Sequence, residues 1–434
     1  MFCKTRKFLC ARNILSLSAT FAISATIASA ATLCVNPGGK SGCVSTISAA
    51  VTAASPGDII NVATGTYAEQ VIITKSLSLV GDPFNPPVIN AHGLSRGIFV
   101  NGMATAPNPG VANVSVYGFK VENANFEGIL VANASNVTIL GNHILNNNKS
   151  LVPSEGQCPG IDAFETSEAM DCGEGIHLMA ADHSFLVRNL VEHNSGGILI
   201  SDETGPNWSN LVQSNVVHDN GYACGITMAS HPNALGGLPF GISHNTIESN
   251  ESHHNGLLLP GAGAGVGIFA PFPGTSNTAN VITGNDLHDN GLPGVTMHNH
   301  ASAPAPAPGI SLNDNVIVGN HIYGNAADTA DAFTPGPTGI NIYSTASVTG
   351  LIVAQNDFHD ESINIAFKVP AGSLNVHFND FDDHAIGIDN LGSGWIDATN
   401  NWWNCAAGPS AACSSTTGAN ITTAPWLPFA YNSF

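Results

Sequence analysis

The hexapeptide "NDLHDN" (residues 285–290) is one copy of a pattern, Asn-x-apolar-x-x-Asn, whose recurrence decides the fold. The other copies are "NHILNN" (142–147), "NLVEHN" (189–194), "NVVHDN" (215–220), "NTIESN" (245–250) and "NHIYGN" (320–325), with "NDFHDE" (356–361), "NDFDDH" (379–384) and "NWW" (401–403) as decayed copies. The last two intervals are 23 and 22 residues. A fixed interval of this length is typical of a solenoid.

A second element, Gly-apolar-x-apolar, recurs between these copies. It reads "GILV" (128–131), "GIHL" (175–178), "GILI" (197–200), "GITM" (225–228), "GVGI" (265–268), "GVTM" (294–297), "GINI" (339–342) and, without the glycine, "SINI" (362–365). The two-residue apolar period predicts short β-strands. Together the two elements predict an all-β parallel β-helix of about twelve coils, in which Asn side chains stack as a ladder and Gly permits tight bends. The His-Asp pair of "NDLHDN" then belongs to a repeat unit rather than to a catalytic dyad.

The first thirty residues have the features of a secretory signal. Four basic residues precede an apolar stretch at 14–27, and "ASA" (28–30) offers small residues for cleavage. We therefore expect residues 1–30 to be a signal peptide and 31–434 to be one β-helix domain, secreted or held in the periplasm or at the cell surface. A retained membrane anchor is the alternative, although the apolar stretch is short for a span.

The charge and cysteine content restrict the partners. Residues 31–434 contain seven basic and 31 acidic residues, a formal charge of −24. This charge repels nucleic acid and anionic lipid, and it repels a polyanionic polysaccharide unless a divalent cation intervenes. Six cysteines fall into close pairs that predict three disulfides in an oxidising compartment: Cys34/Cys43, Cys158/Cys172 and Cys405/Cys413. Cys224 is left over and is expected to be a buried apolar residue.

Both ends of the chain show the capping that a solenoid needs. A short amphipathic helix near residues 46–54 lies in the expected N-terminal cap, about 31–57, and the aromatic "NNWWNC" begins the C-terminal cap, about 400–434. The start "TISAAV…PGDIINVATGTYAEQVIITKSLSLVG", the Asn repeats and the ending "NNWW…GP…PWL" resemble the right-handed parallel β-helices of the pectin-lyase-like superfamily. The resemblance implies that fold. It leaves the activity open, because the superfamily includes lyases, hydrolases, epimerases, esterases and non-catalytic proteins.

An acidic insertion between residues 148 and 175 is the first candidate site. Glu127 and Glu174 each precede the Gly of successive coils, so we expect them to stack about 5 Å apart. Two such carboxylates either share a proton, bind a cation such as Ca²⁺ with the help of Asp171, or form the pair of a retaining glycosidase. The alternative is a solvated acidic edge.

The second candidate site lies on the outward face of the Gly-apolar-x-apolar strands. If the coils align on the Gly, His298, Tyr343 and Lys368 come together on three adjacent coils. A uronic-acid lyase or epimerase needs a base, an acid and a cation for the carboxylate, and these residues offer those groups in that order. His177 is a further catalytic candidate on this face, and the expected substrate-binding residues are His300, Asn341, Asn364 and Phe269. The alternative is that these are ordinary polar side chains that face solvent on an exposed strand and have no function.

Two classes of function follow. The first is an exported carbohydrate-active enzyme, of lyase, epimerase or glycoside hydrolase type, with Ca²⁺ as the expected cation. The second is a non-catalytic extracellular β-helix for glycan binding, adhesion or surface structure. In both, the partner is a polysaccharide or cell-surface glycan, nucleic acid and membrane insertion are not expected, and the chain is a monomer. Pairs of His such as "HH" (253–254) and "HNH" (298–300) also suggest Cu²⁺ or Zn²⁺ binding. The alternative is that these histidines are spread over loops and turns and bind no metal.

Overall fold

The structure, a computed structural model, describes residues 30–165, 170, 172–299, 309–329, 334, 336–381 and 384–431. The expected signal peptide, Asp171 and His300 lie outside this part of the chain. Three long sheets run the length of the molecule, and their strands pair in parallel. One coil passes through the three sheets in turn, as in Val281–Thr283, Asp286–His288 and Val295–His298. Some coils add a second, short strand to sheet C, such as Asn277–Thr278. This is the parallel β-helix that the repeats predict.

Sheet A has fourteen strands: Thr32–Val35, Asp58–Val62, Leu77–Val80, Val114–Tyr117, Thr138–Leu140, Phe185–Val187, Leu211–Gln213, Thr246–Glu248, Val281–Thr283, Val316–Val318, Val348–Ala354, Gly372–His377, Trp395–Asp397 and Ile421–Thr422. Sheet B has ten: Thr66–Tyr67, Val88–Asn90, Lys120–Glu122, His143–Leu145, Leu190–Glu192, Val216–His218, Glu251–His253, Asp286–His288, His321–Tyr323 and Asp357–His359. Sheet C has sixteen: Val71–Ile73, Ile98–Asn101, Val111–Ala112, Ile129–Ser135, Ile176–Asp182, Ile198–Ser201, Asn207–Trp208, Ile226–Ala229, Ile242–Ser243, Val266–Phe269, Asn277–Thr278, Val295–His298, Thr338–Tyr343, Ile363–Lys368, Ile386–Asn390 and Ser415–Gly418.

The core lies inside the coil, because alternate residues of every strand point inward. In one coil these are Ile282, Leu287, Val295 and Met297, all fully buried in a single apolar cluster that extends along the molecule. At about 25 cal/mol per Å² of apolar surface, each such side chain stabilises the fold by roughly 1.5–3 kcal/mol. The apolar period read from the sequence therefore corresponds to the inward face of the strands.

Asparagine ladders line the corners of the coil. The ladder between sheets A and B contains Asn142, Asn189, Asn215, Asn250, Asn285, Asn320, Asn356, Asn379 and Asn401. The ladder between B and C contains Asn147, Asn194, Asn220, Asn255, Asn290 and Asn325 and ends on Glu361. A third, between C and A, contains Asn210, Asn245, Asn280 and Asn315. In each, an amide oxygen accepts the backbone N–H of the preceding coil, so buried corner groups are satisfied.

The third ladder corrects the alignment of one repeat. "NTIESN" (245–250) was expected to be equivalent to "NDLHDN", but Thr246 pairs with Val281 of sheet A, and Asn250 is the residue that stacks on Asn285. The equivalent segment is "NESHHN" (250–255). Asn recurs every five residues across three corners of a coil, so the same hexapeptide pattern fits two registers.

The Asp of the His-Asp pairs occupies a left-handed backbone position after each strand of sheet B. Asp219 and Asp289 both have φ 54°, and His193, His254 and Asp360 occupy the same corner with φ 53–57°. Asn, Asp and His tolerate this conformation better than most residues do. The pair is therefore a feature of the repeat, as the sequence indicates.

The recurring glycines serve close packing rather than the expected bend. Gly128 and Gly175 are outside the left-handed region, but a Cβ on Gly128 would lie 2.7 Å from Asn147 Nδ2, and one on Gly175 would lie 2.8 Å from Asn194 Nδ2. A side chain at these positions would displace the ladder between sheets B and C. Gly is needed because two parts of one coil approach closely there.

A helix closes the N-terminal end. It spans Ile47–Ala53, with Thr46 accepting the N–H of Ala49 at 3.2 Å, and its Ile47, Ala50 and Val51 join the main core. Glu69 accepts the N–H groups of Ile47 and Ser48 at 2.8 Å, satisfying the first turn. The predicted helix is confirmed.

The three predicted disulfides are present, with Cα separations of 4.7 Å for Cys34–Cys43, 5.6 Å for Cys158–Cys172 and 5.9 Å for Cys405–Cys413. They fit an extracellular protein. Cys224 is free and buried, and burial raises the pKa of its thiol to about 11. No helix in the described residues has the length and apolar character that a membrane crossing requires.

Candidate functional site

The outward face of sheet C carries the residues that were proposed as a site. Its pairing agrees with the expected alignment of the coils on the Gly for most strands: His177 pairs with Leu199, Thr296 with Asn341, and His298 with Tyr343. The face is not the exposed strand surface that was expected. His177, His298 and Asn341 are buried beneath neighbouring chain segments, and Phe164 of the insertion packs on the outer apolar cluster of Phe99, Leu130, Ala132 and Met179.

The expected alignment is wrong at the last of these coils. Asn341 pairs with Ala366 and Tyr343 with Lys368, so Lys368 lies two positions from where the alignment on Gly placed it. Asn364 takes the position of Gly339 and does not continue the column of Asn341. "SINI" lacks the glycine that defines the register, and apolar alternation alone does not distinguish a shift of two residues.

Arg96 is the centre of a buried ionic cluster on this face. Its Nε lies 2.6 Å from Glu127 Oε2 and one terminal nitrogen lies 2.6 Å from Asp162 Oδ2, while the other terminal nitrogen is paired with Glu165 Oε1. Glu127 is fully buried, and the side chains of Arg96 and Glu165 are 3% and 2% exposed. Since Glu127 belongs to the coil and Glu165 to the insertion, Arg96 fastens the insertion to the β-helix.

A hydrogen-bonded chain continues from this cluster to the next coils. His177 Nε2 lies 2.6 Å from Ser201 Oγ, and Ser201 Oγ donates to Glu203 Oε2. Glu203 Oε1 in turn lies 2.6 Å from His231 Nδ1. All four side chains are buried, so this series of hydrogen bonds links polar groups of three successive coils away from solvent.

Burial and charge separate the pKa values of the two glutamates beside Arg96. Burial alone would raise the pKa of Glu127, but Arg96 and the nearby Glu165 and His177 lower it to about 2. Burial and the negative charge of Glu127 hold the pKa of Glu165 well above its usual range. The pKa values of the two glutamates are therefore displaced in opposite directions, as expected for carboxyl groups at close range in a dry site.

Glu203 predicts a particular pH dependence of stability. Burial would raise its pKa, but the charge and hydrogen bond of His231, with His177 and Ser201, lower it to about 2. A carboxylate with a depressed folded-state pKa stabilises the fold above its ordinary value near 4.5 and loses that contribution as the pH falls towards 2. We expect a loss of about 3 kcal/mol across this interval from Glu203.

The measurement is urea unfolding at several pH values between 7 and 2.5, comparing wild type with Glu203→Gln. The variant is expected to be less stable at pH 7 and to lose less stability on acidification. If the stabilities of the two proteins change with pH in parallel, the pKa of Glu203 in the folded state is not depressed. Asp286→Asn, at an exposed position of sheet B, serves as the matched control and should follow wild type.

A second cluster surrounds His298. Its Nε2 lies 3.2 Å from Asp328 Oδ2 and 2.9 Å from Asn341 Nδ2, which itself donates to Asp328 Oδ2 at 2.9 Å. The ring of Tyr343 stands edge-on to that of His298, with centroids 5.9 Å apart, and Lys368 Nζ lies 5.3 Å from the centre of the Tyr343 ring. His298 is 1% exposed, whereas Tyr343, Lys368 and Phe269 are partly exposed. The structure thus brings together the three residues that the sequence grouped.

The acidic pair proposed from the sequence has a different arrangement. Glu174 is equivalent to Glu127 in the next coil, as expected, but its Oε2 accepts a hydrogen bond from Ser195 Oγ at 2.8 Å, and the carboxylate beside Glu127 is that of Glu165. Asp171 lies outside the described residues. Nothing in the sequence places Glu165 beside Glu127, because a residue in a long insertion has no register from which its neighbours can be inferred.

Arg96 and Asp328 were also missed. Arg96 occupies the position of Glu127 one coil earlier, so the alignment on Gly, extended to "GIFV" (97–100), would have placed the two residues together. Asp328 lies in a loop, for which periodicity offers no signal.

Comparison with known proteins identifies the class of fold. A family model described as a right handed beta helix region matches residues 95–267. The protein therefore has the fold of a right-handed parallel β-helix. A search of curated proteins gives no match.

Several solved structures are similar to this protein at low sequence identity, two of them with TM-scores of at least 0.50. DFA-IIIase from Arthrobacter chlorophenolicus A6, solved without its lid in complex with GF2, is 14% identical with a TM-score of 0.55, over 94% of this chain and 100% of that one. Dettilon tailspike protein gp208 is 14% identical with a TM-score of 0.50, over 85% of this chain and 62% of the tailspike. The A-module of the mannuronan C-5 epimerase of Azotobacter vinelandii is 12% identical, over 87% and 94%, with a TM-score of 0.47.

Proposed function

We propose that this protein is an exported enzyme that removes the C5 proton of a uronic-acid residue in a polysaccharide, leading to elimination or epimerisation. The observation that carries the proposal is the group of His298, Tyr343 and Lys368 on three successive strands of sheet C. Similar β-helices include carbohydrate-active proteins, a DFA-IIIase and a tailspike, which supports a glycan as the substrate class.

Burial divides the roles of the three residues. His298 was expected to be the base, but it is enclosed with Asp328 and Asn341, so we assign it to positioning. Tyr343 is partly exposed and carries a hydroxyl that can exchange a proton with a sugar on the face. Lys368 stands beside the Tyr343 ring and supplies the cation for the carboxylate of the substrate.

The reaction requires a proton acceptor and a group that stabilises the carbanion formed at C5. Tyr343 Oη gives its own hydrogen to water and then takes the C5 proton, and Lys368 stabilises the negative charge that spreads onto the carboxylate. In elimination, the electron pair forms a C4–C5 double bond, the C4–O bond breaks and the leaving oxygen receives the proton. In epimerisation, a water molecule gives a proton to C5 on the opposite face, and the proton that Tyr343 gave to water neutralises the hydroxide left behind. Ca²⁺ is proposed as the counter-ion between the acidic surface and the uronan.

The experiment incubates the full chain in D₂O with a panel of uronans, with Ca²⁺ or a chelator. Ultraviolet absorbance detects unsaturated ends, and mass spectrometry detects deuterium at C5. We expect Tyr343→Phe and Lys368→Met to lower the rate at least about 100-fold with little change in Tm. Tyr323→Phe and Lys120→Met, both partly exposed on sheet B, are the matched controls and should keep full activity.

The outcomes separate the candidate functions. Products that are insensitive to both substitutions would place the chemistry elsewhere. Neither product nor deuterium from any uronan would exclude C5 chemistry, and binding of a glycan without turnover would then favour a non-catalytic extracellular β-helix.

A further inference from the structure

We propose that Glu127, Glu165 and His177 form a binding site for one divalent transition-metal ion, with Zn²⁺ or Mn²⁺ as the class of ion. This site does not depend on the proposed catalytic face. It differs from the Ca²⁺ site expected from the sequence, because Glu165 and His177 replace Asp171 and Glu174.

Three buried acceptor atoms converge at this place. Glu127 Oε1 and Glu165 Oε2 each lie 3.8 Å from His177 Nδ1, and the ligand atoms of the three residues all lie within 4.8 Å of one another. Glu127 is 0%, His177 1% and Glu165 7% exposed. Among the residues that the structure describes, none outside this group of three forms a hydrogen bond to any of these atoms.

The hydrogen-bonded chain beyond His177 determines which ring nitrogen carries a proton. Ser201 has one hydroxyl hydrogen, and it donates this hydrogen to Glu203. Ser201 Oγ can therefore only accept from His177 Nε2, so the proton of the neutral imidazole resides on Nε2. The lone pair of Nδ1 is then directed at two carboxylate oxygens. When both carboxyl groups are ionised, three acceptors face one another, which is unfavourable; a proton on Glu165 or a cation between the three atoms removes the repulsion.

Arg96 leaves these atoms available. It contacts Glu127 through Oε2 and Glu165 through Oε1, so the other oxygen of each carboxylate faces His177. The charges also balance with a metal present. A bound ion displaces any proton from Glu165, so that Asp162, Glu127 and Glu165 carry three negative charges, which Arg96 and one divalent cation neutralise.

The ligand set indicates the kind of metal. One imidazole nitrogen with two carboxylates suits Zn²⁺ or Mn²⁺, whereas Ca²⁺ prefers oxygen ligands alone. A Zn²⁺ ion about 2.1 Å from each ligand needs ligand atoms roughly 3.4 Å apart, so the two 3.8 Å separations require only a few tenths of an ångström of closure. In metal sites, the second ring nitrogen of a metal-binding His is usually hydrogen-bonded to a group that fixes the orientation of the ring. Ser201, itself bound to Glu203, would hold His177 in this way.

The position of the site gives the ion a structural role. Glu127 and His177 lie on successive coils, and Glu165 comes from the insertion between them. A bound ion would join the insertion to both coils, beside the Cys158–Cys172 disulfide.

The test measures metal binding to the chelator-treated full chain. Zn²⁺, Mn²⁺ and Ca²⁺ are added separately, and bound metal is counted by mass spectrometry after desalting. We expect one retained Zn²⁺ or Mn²⁺ per chain, a rise in Tm on binding, and no retained Ca²⁺. Glu165→Gln and His177→Gln are expected to lose the retained ion, while Asp162→Asn, which also contacts Arg96 but offers no ligand here, should keep it.

Two exposed groups on sheet B require a control. Glu251 with His253 and His288, and Asp357 with His321 and His359, also bring possible ligands together. A double variant, His288→Ala with His359→Ala, should keep the tightly bound ion. Loss of the ion in this variant, or its retention in Glu165→Gln, would overturn the proposal.

X-ray absorption of the zinc-loaded wild type remains decisive if a ligand variant does not fold. The buried site contains one His, whereas each exposed group contains two. Scattering from a single imidazole, with oxygen ligands, is the expected result. Scattering from two or more imidazoles, or retention of Ca²⁺ in place of Zn²⁺ and Mn²⁺, would refute the assignment.

Discussion

Replacing Arg96 by methionine is expected to lower the free energy of unfolding by about 3–5 kcal/mol. Methionine keeps much of the aliphatic volume but removes the only cation described beside Glu127 and Glu165, and both carboxyl groups stay buried. Removing one partner of a buried ion pair leaves an uncompensated charge, which costs far more than losing an exposed pair. The measurement is urea unfolding at pH 7 in the presence of a chelator.

Lys120→Met is the matched control, because Lys120 pairs with Glu122 at 2.9 Å on the surface of sheet B. Its loss should cost less than about 1 kcal/mol. A triple variant, Arg96→Met with Glu127→Gln and Glu165→Gln, should regain part of the lost stability, since it removes the stranded charge. If Arg96→Met lowers the free energy of unfolding by no more than Lys120→Met does, the cluster does not fasten the insertion to the β-helix.

Replacing Asn285 by alanine is the second substitution with a large expected effect, again about 3–5 kcal/mol. Asn285 Oδ1 accepts from Asn250 N and Nδ2 at 2.9 and 3.0 Å, and its Nδ2 donates to Ile247 O and Asn320 Oδ1, both at 2.9 Å. Alanine leaves a buried N–H and a buried carbonyl without a partner, and each such group costs roughly 1–3 kcal/mol. Equilibrium unfolding in urea measures the loss.

Gln213→Ala tests whether burial is the cause. Gln213 also forms an amide contact with the next coil, donating to Glu248 at 3.0 Å, but it is partly exposed. Water replaces that contact, so a change within about 0.5 kcal/mol is expected. Hydrogen exchange of the Asn250 amide should accelerate in Asn285→Ala and stay slow in Gln213→Ala. Equal losses of stability in the two variants would contradict a special role of the ladder.

The sequence predicted the repeated parts of the molecule better than its insertions. The apolar alternation of "GVTM" places Val295 and Met297 inward and Thr296 and His298 outward, and the structure agrees. The grouping of His298 with Tyr343 follows from the same register. Where a coil lacks the defining glycine, as before Ile363, the register was wrong by two residues.

The insertion shows why the rest was not predictable. Glu165 reaches Glu127 and Arg96 across 38 and 69 positions of the chain, and nothing in its local sequence specifies either partner. Burial of His177 and His298 likewise depends on segments that fold back over sheet C.

The amino-acid sequence by itself determined the parallel β-helix, its capping helix, its disulfides and the columns of side chains along each sheet. These follow from short-range patterns, because a residue in a regular coil contacts its equivalent in the next coil. Only the tertiary structure decided which columns are covered, which glutamate lies beside Glu127 and which nitrogen of His177 is left to face the carboxylates. Those features depend on where irregular segments pack, and packing between distant segments leaves no period in the sequence.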